Sequence, residues 1–167
     1  MNKLSLEQLR KLYSKYSPLT SNLSLYTNYI EVTGDAYPTI DSIREKYNQV
    51  IFNGYLNEAV IKASFINKFC VNKSPNNTIT MFELKTGNSR ADICIVNGSS
   101  SVFEIKTEFD TFNRLDNQIN DYKKCFDYLN VVIPIDYLDR AITEIDSSIG
   151  IVVYRMNRVD KITFDLY

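Results

Sequence analysis

"RADICIVNGSSSVFEIKTEFD", residues 90–110, decides how this chain is read. Two apolar runs flank Asn97-Gly98-Ser99-Ser100, which has the composition of a tight hairpin turn. Each run carries an acid where a core residue would be expected: Asp92 in the first, and Glu104 in the second, two residues before Lys106. Side chains alternate along a strand. Glu104 and Lys106 therefore share one face of "SVFEIKT", and Asp92, Cys94 and Val96 share one face of "RADICIV". If the turn pairs the strands, Asp92 and Glu104 meet near the open end of one ribbon. Two carboxylates there repel each other unless a cation stands between them. Oxygen-only ligation suits Mg2+ or Mn2+, with the backbone carbonyl of Ile105 as a third protein ligand. Lys106 could then stabilise charge on a phosphate or hold an attacking water. Taken alone, the E-x-K triplet also fits an edge strand whose Glu–Lys pair resists aggregation.

Outward from the hairpin, "ITMFEL" reads as a strand before it, joined by "KTGNS". "DTFNRLDNQINDYKKCFDYL" follows as a long helix, "NVVIPI" as a strand buried on both faces, and "DYLDRAITEI" as a short helix. "GIVVYRM" and "KITFDLY" are two terminal strands. Ahead of them stand three helices: "LSLEQLRKLYSKY", then "TIDSIREKYNQVIF" with Thr39 as N-cap, then "YLNEAVIKASFINKF". A polar, turn-rich connection (residues 17–39) separates the first two, and "NKSPNNT" is a loop. The order α-α-α-β-β-β-α-β-α-β-β predicts an α/β fold with a mixed sheet flanked by helices. We read residues 1–54 as an N-terminal helical extension packed on a core of residues 55–167.

Composition narrows the chemistry. The 167 residues contain no histidine, which removes Ser-His-Asp and Cys-His catalysis and zinc sites built on histidine. Cys70, Cys94 and Cys125 are scattered and match no zinc spacing, so a reduced cytoplasmic setting is expected. No apolar run approaches membrane-spanning length. The net charge is −1, so nucleic acid would have to be bound through a local basic face. Lys62, Lys68, Lys73, Lys85, Arg90, Lys123 and Lys124 are candidates for it.

Two helices carry polar residues out of place. Glu58 falls in the apolar stripe of Ile61, Phe65 and Phe69, either as a functional acid or as a first-turn acid favoured by the helix dipole. On the long helix, Phe112, Leu115, Ile119, Tyr122, Phe126 and Leu129 form the core seam. Asp110, Arg114, Gln118 and Tyr122 recur every four residues and converge on that seam. An ordinary salt-bridge face from Asp110 to Arg114, with Tyr122 as a core tyrosine, would give the same pattern.

Glu58, Asp92, Glu104-Ile105-Lys106, Gln118 and Tyr122, in this order on these elements, resemble the PD-(D/E)XK nuclease superfamily, with "QINDY" similar to the Q-x-x-x-Y motif of its RecB-type exonuclease branch. "RAD" stands where the superfamily's name has "PD". Residues 80–135 are also similar to uncharacterised bacterial and phage proteins of that superfamily with R-A-D, E-I-K-[ST], R-L, Q and Y in the same sequence order. The resemblance implies a restriction-endonuclease-like core and a Mg2+- or Mn2+-dependent nuclease of DNA or RNA. In it, Asp92 and Glu104 are the metal ligands, Lys106 is the catalytic lysine and Glu58 is an auxiliary carboxylate. Gln118, Tyr122, Arg90 and Arg114 orient the site or touch nucleic acid, and Glu83 is a strand residue near it. A protein partner or a homodimer is compatible with this reading. The alternative is an inactive copy of the fold that binds nucleic acid or protein.

Overall fold

The apolar segments after residue 78 hydrogen-bond into one six-stranded sheet. In the computed structural model, which describes residues 4–36, 39–71, 77–157 and 161–167, the strands are β1 (Ile79–Thr86), β2 (Ser89–Val96), β3 (Ser100–Ile105), β4 (Tyr128–Pro134), β5 (Gly150–Met156) and β6 (Ile162–Leu166). They stand in sequence order across the sheet. β1–β2, β2–β3 and β5–β6 are antiparallel, whereas β3–β4 and β4–β5 are parallel. Parallel neighbours need crossovers. The helices α5 (Leu115–Tyr122) and α6 (Leu138–Glu144) supply them. Leu115, Ile119 and Tyr122 of α5 and Ala141 of α6 share one core with Cys94, Val102, Val131 and Val153, so both helices cover the same face. The expected α/β fold with a mixed sheet is found.

The chain divides into two compact units, Met1–Val60 and Ile61–Tyr167. The division falls within helix α4 (Glu58–Ile66), a few residues beyond the boundary expected after residue 54. The first unit holds α1 (Leu6–Lys15), α2 (Asn22–Thr33) and α3 (Ile43–Gly54). Ser5 and Gln8 close a reciprocal capping box at the start of α1, satisfying two backbone donors that the helix leaves open. Leu9, Leu12, Leu25, Tyr29, Tyr47 and Ile51 are buried.

The helix α2 lies within the connection expected to be turn-rich. Its limits are written in the sequence: Ser21 accepts from the Ser24 backbone N–H, and Gly34 ends the helix in the left-handed region at φ +69°. Its asparagines, threonines and tyrosines are weak helix formers, and burial of Leu25 and Tyr29 supplies what propensity lacks. The long helix is shorter than expected. Residues 112–114 form a 3-10 turn, α5 ends at Tyr122, and Tyr128 already belongs to β4. Asp127 accepts from the backbone N–H and hydroxyl of Ser100 at 2.7 and 2.8 Å, which pins the start of β4 beside β3. Leu129 is therefore buried on a strand and does not continue the helical seam. Asp110 precedes the helix and accepts from the N–H and hydroxyl of Thr107, so the ordinary alternative, an Asp110–Arg114 pair on the helix, is not what Asp110 makes. Thr39 hydrogen-bonds Ser42 ahead of α3 rather than capping its first turn. The loop expected over residues 72–78 lies largely outside the described residues, as does Lys73.

Gly87 turns β1 into β2 at φ +62°, and a Cβ there would stand 2.9 Å from the Asp121 carboxyl group. Asp121, on α5, accepts from the Asn88 N–H and the Ser89 hydroxyl of the same turn. Gly87→Ala therefore meets both left-handed strain and a clash, and should lose about 1–2 kcal/mol in urea unfolding; an unchanged midpoint would show that the turn relaxes freely. In the first unit the Tyr47 hydroxyl is buried and has no hydrogen-bond partner among the described residues, and burial followed by the proximity of Tyr29 pushes its pKa up to about 12. Tyr47→Phe removes an unsatisfied polar atom and should keep or raise the melting temperature; a clear loss would reveal a partner for the hydroxyl.

Candidate functional site

Glu104 sits near the end of β3 with 5% of its surface exposed. A charge there needs partners, and three side chains provide them. Lys106 Nζ lies 2.8 Å from Glu104 Oε1. Gln118 donates from Nε2 to the same oxygen at 2.5 Å and accepts from Lys106 Nζ at 2.9 Å. The Tyr122 hydroxyl lies 2.7 Å from Glu104 Oε2 and 2.8 Å from the Arg90 carbonyl, two acceptors for one proton. Gln118 and Tyr122 reach the same carboxylate because residues four apart on a helix share a face. Lys106 continues β3 through its backbone N–H to Val132 of β4 at 2.8 Å.

Asp92 is the second buried acid. The pairs Cys94↔Val102 and Ile93↔Phe103, continued by one step, set Asp92 opposite Glu104. Asp92 Oδ2 accepts the Ile105 backbone N–H at 2.8 Å. Its other oxygen lies 3.2 Å from Lys62 Nζ of α4, which also donates to Glu83 of β1. The register of β1 on β2 is unchanged here, but the Glu83–Asp92 pair is missing from the ladder. Phe82↔Ile93 and Leu84↔Ala91 pair, but Glu83 between them is left-handed at φ +53°. Ala91 and Cys94 both enter the α5-side core, so the strict alternation expected along β2 does not hold.

The expected residues thus divide. Asp92 accepts from the Ile105 backbone, and Glu104 of the neighbouring strand forms one hydrogen-bonded cluster with Lys106, Gln118 and Tyr122. Arg90 contributes its backbone carbonyl to that cluster, while its exposed guanidinium lies 4.0 Å from Glu83. Arg114 is exposed and lines, with Arg90, Gln118 and Lys124, a cleft of about 800 Å³ between the β1–β2 turn and α5. Glu58 opens α4 as an exposed first-turn acid. Two of the candidate basic residues are engaged by other groups of the chain. Lys62 is engaged with two carboxylates, and Lys68 bonds the Phe164 carbonyl and lies over the rings of Phe69 and Phe164. Lys62, expected only as one lysine of a basic face, instead engages Glu83 and Asp92, and Asp121, which had no expected role, holds the β1–β2 turn.

Burial and then the charge of Glu104 push the Tyr122 hydroxyl well above its ordinary pKa, so it acts as a neutral donor. Burial and then Asp92 raise the Cys94 thiol to about 11, which makes it inert as a nucleophile. The donor set fits a hard divalent cation, being carboxylate oxygen only, buried and facing across two paired strands. Among the described residues no helix is long and apolar enough to cross a membrane.

A family model described as bacteriophage P4 protein cII matches residues 52–164, a span containing the whole cluster. Protein cII of Enterobacteria phage P4 is 35% identical over 68 residues, covering 41% of this chain and 26% of that protein. The chain thus spans about a quarter of the length of that curated relative. A solved structure of a protein of unknown function from Silicibacter pomeroyi is similar at 12% identity and a TM-score of 0.39, over 54% of this chain and 59% of that one, too slight a likeness to inform the site.

The Tyr122 ring is 2% exposed and its hydroxyl is hydrogen-bonded inside. Tyr122→Phe should therefore cost about 0.5–1.5 kcal/mol in metal-free urea unfolding. An unaltered midpoint would mean that Glu104 is held adequately by Lys106 and Gln118 alone.

Proposed function

We propose that this chain, which belongs to the bacteriophage P4 protein cII family, is a Mg2+- or Mn2+-dependent nuclease that hydrolyses phosphodiester bonds of DNA. The observation that carries this reading is the pair of buried acids, Asp92 and Glu104, each with its own lysine, and with Glu104 fixed by Gln118 and Tyr122. The resemblance of these same residues to the PD-(D/E)XK nucleases supports it.

Asp92 and Glu104 would hold the ion, with the Ile105 carbonyl as the backbone ligand. A bound divalent ion supplies Lewis acidity to the scissile phosphate and to the attacking water. The chain's own groups do the rest. Gln118 grips both Lys106 and Glu104, and Tyr122 orients the second Glu104 oxygen, so neither the lysine nor the acid must reorganise during the reaction. Lys106 places a fixed positive charge where negative charge develops on the phosphate. Arg90, Arg114 and Lys124 line the adjoining cleft, where contacts to backbone phosphates would position a strand without reading its bases.

Cleavage of linear, circular, branched and single-stranded DNA, and of RNA, with Mg2+ or Mn2+ tests the proposal. The wild type should cut at least one substrate, and Asp92→Ala and Glu104→Ala should lose both cleavage and Mn2+ binding. Lys106→Ala should keep metal and DNA binding while turnover falls by on the order of 10²–10³-fold, the loss expected for one preorganised charge donor. Nucleic-acid binding with no cleavage under any metal condition would favour the non-catalytic reading of the same fold.

A further inference from the structure

Resting on that reading of the site, we infer that Lys62 is the built-in counter-cation of Asp92, which the divalent ion must displace, and that Glu83 is the carboxylate that keeps Lys62 once it has moved. The two lysines of the site are not equivalent. Lys106 lies two residues from its acid on the same strand and is held by Gln118 as well. Lys62 comes from a different element, α4, and bridges two carboxylates, donating to Glu83 and standing 3.2 Å from Asp92 Oδ1. The side chains of Lys62 and Asp92 are 14% and 12% exposed, whereas that of Glu83 is 48% exposed.

An ammonium in contact with a ligand oxygen competes with a divalent ion for the same lone pairs and repels it at short range. Lys62 therefore neutralises Asp92 when no metal is bound and lowers the affinity when metal arrives. It need not be expelled into bulk water. Its second partner, Glu83, is more exposed and can retain the ammonium after Asp92 is released. The left-handed backbone of Glu83, uncommon for a residue with a side chain, falls where the Glu83–Asp92 pair is missing from the β1–β2 ladder, beside the carboxylate that must give up the lysine.

A double-mutant cycle read by Mn2+ titration calorimetry, with melting in EDTA alongside, tests this. Lys62→Met should tighten Mn2+ binding about tenfold, the scale of a largely buried charge contact, and should lower the melting temperature in EDTA. Glu83→Gln should weaken Mn2+ binding in the wild-type background, because Lys62 loses the carboxylate that competes with Asp92 for it, and should have no effect when Lys62 is already Met. Binding by Lys62→Met where the wild type shows none also supports the inference. Equal or weaker binding by Lys62→Met, with Asp92→Ala still abolishing it, overturns the role of Lys62 and leaves the metal site standing. An equal Glu83→Gln loss in both backgrounds makes Glu83 a direct ligand and overturns its role as holder of the lysine. Absence of Mn2+ binding in every protein overturns both this inference and the metal-dependent reading. Should Lys62→Met fail to fold, Lys62→Gln carries the same comparison.

Discussion

A carboxylate taken out of water costs several kcal/mol unless charge and hydrogen bonds replace its hydration. Glu104 is 5% exposed, so the surrounding structure must supply both. Lys106 brings the charge from the same strand. Gln118 and Tyr122 bring hydrogen bonds from α5, one helical turn apart. This requirement sets the rotation of α5 over the sheet. A helix turned by one residue would present Ile119 or Asn117 to the acid and leave it uncompensated. The apolar residues Leu115 and Ile119 then seal the remainder of the same interface. Packing gives the helix its affinity for the sheet, and the polar pair gives it its register.

The far end of α5 is tied down independently. Asp121 caps the β1–β2 turn through Asn88 and Ser89, next to a glycine that has no room for a side chain. Hydrogen bonds from the Ser89 hydroxyl and then the Asn88 backbone, with Lys124 contributing, hold the Asp121 carboxyl below the usual carboxylate range. The stabilisation this carboxylate gives is present above the unfolded-state pKa and fades as pH falls through the lowered folded value. Asp127 behaves alike, its pKa lowered by the Ser100 backbone and hydroxyl. Asp121 joins α5 to a turn that no ladder hydrogen bond connects to it, Asp127 ties off the β3–β4 ladder at its start, and both belong to the scaffold rather than to the chemistry.

How much of this was legible follows from how local each signal is. Asp92, Glu104 and Lys106 stood out because a charge in a period-two apolar run contradicts its own pattern. Gln118 and Tyr122 stood out because four-residue spacing crosses an apolar seam. The end of α5 was not legible. Leu129 fits a helical seam and a strand equally well, and only Asp127 reaching Ser100 across the fold decides between them. The helix α2 was hidden by poor intrinsic propensity, although Ser21 and Gly34 marked both ends. The left-handed Glu83 had no sequence signal at all, because glycine is the residue that advertises that conformation. Lys62 could be singled out only by the two acids that fold brings to it.

The two faces of the sheet are coupled through β3. Phe103 and Glu104 are consecutive and point to opposite sides. Phe103 packs on Phe65 at 4.8 Å between ring centroids, and Phe65 in turn packs on Phe69 and Phe164. Lys68 closes this cluster by bonding the Phe164 carbonyl. Phe65 lies three residues after Lys62 on α4, so both project from neighbouring turns of one side of that helix. The aromatic cluster therefore fixes where α4 rests on the sheet, and with it how far the Lys62 ammonium reaches toward Asp92. The electrostatics of the acidic pair are set in part by apolar packing on the face away from α5, through a strand too tightly paired on both edges to shift one side chain without the other.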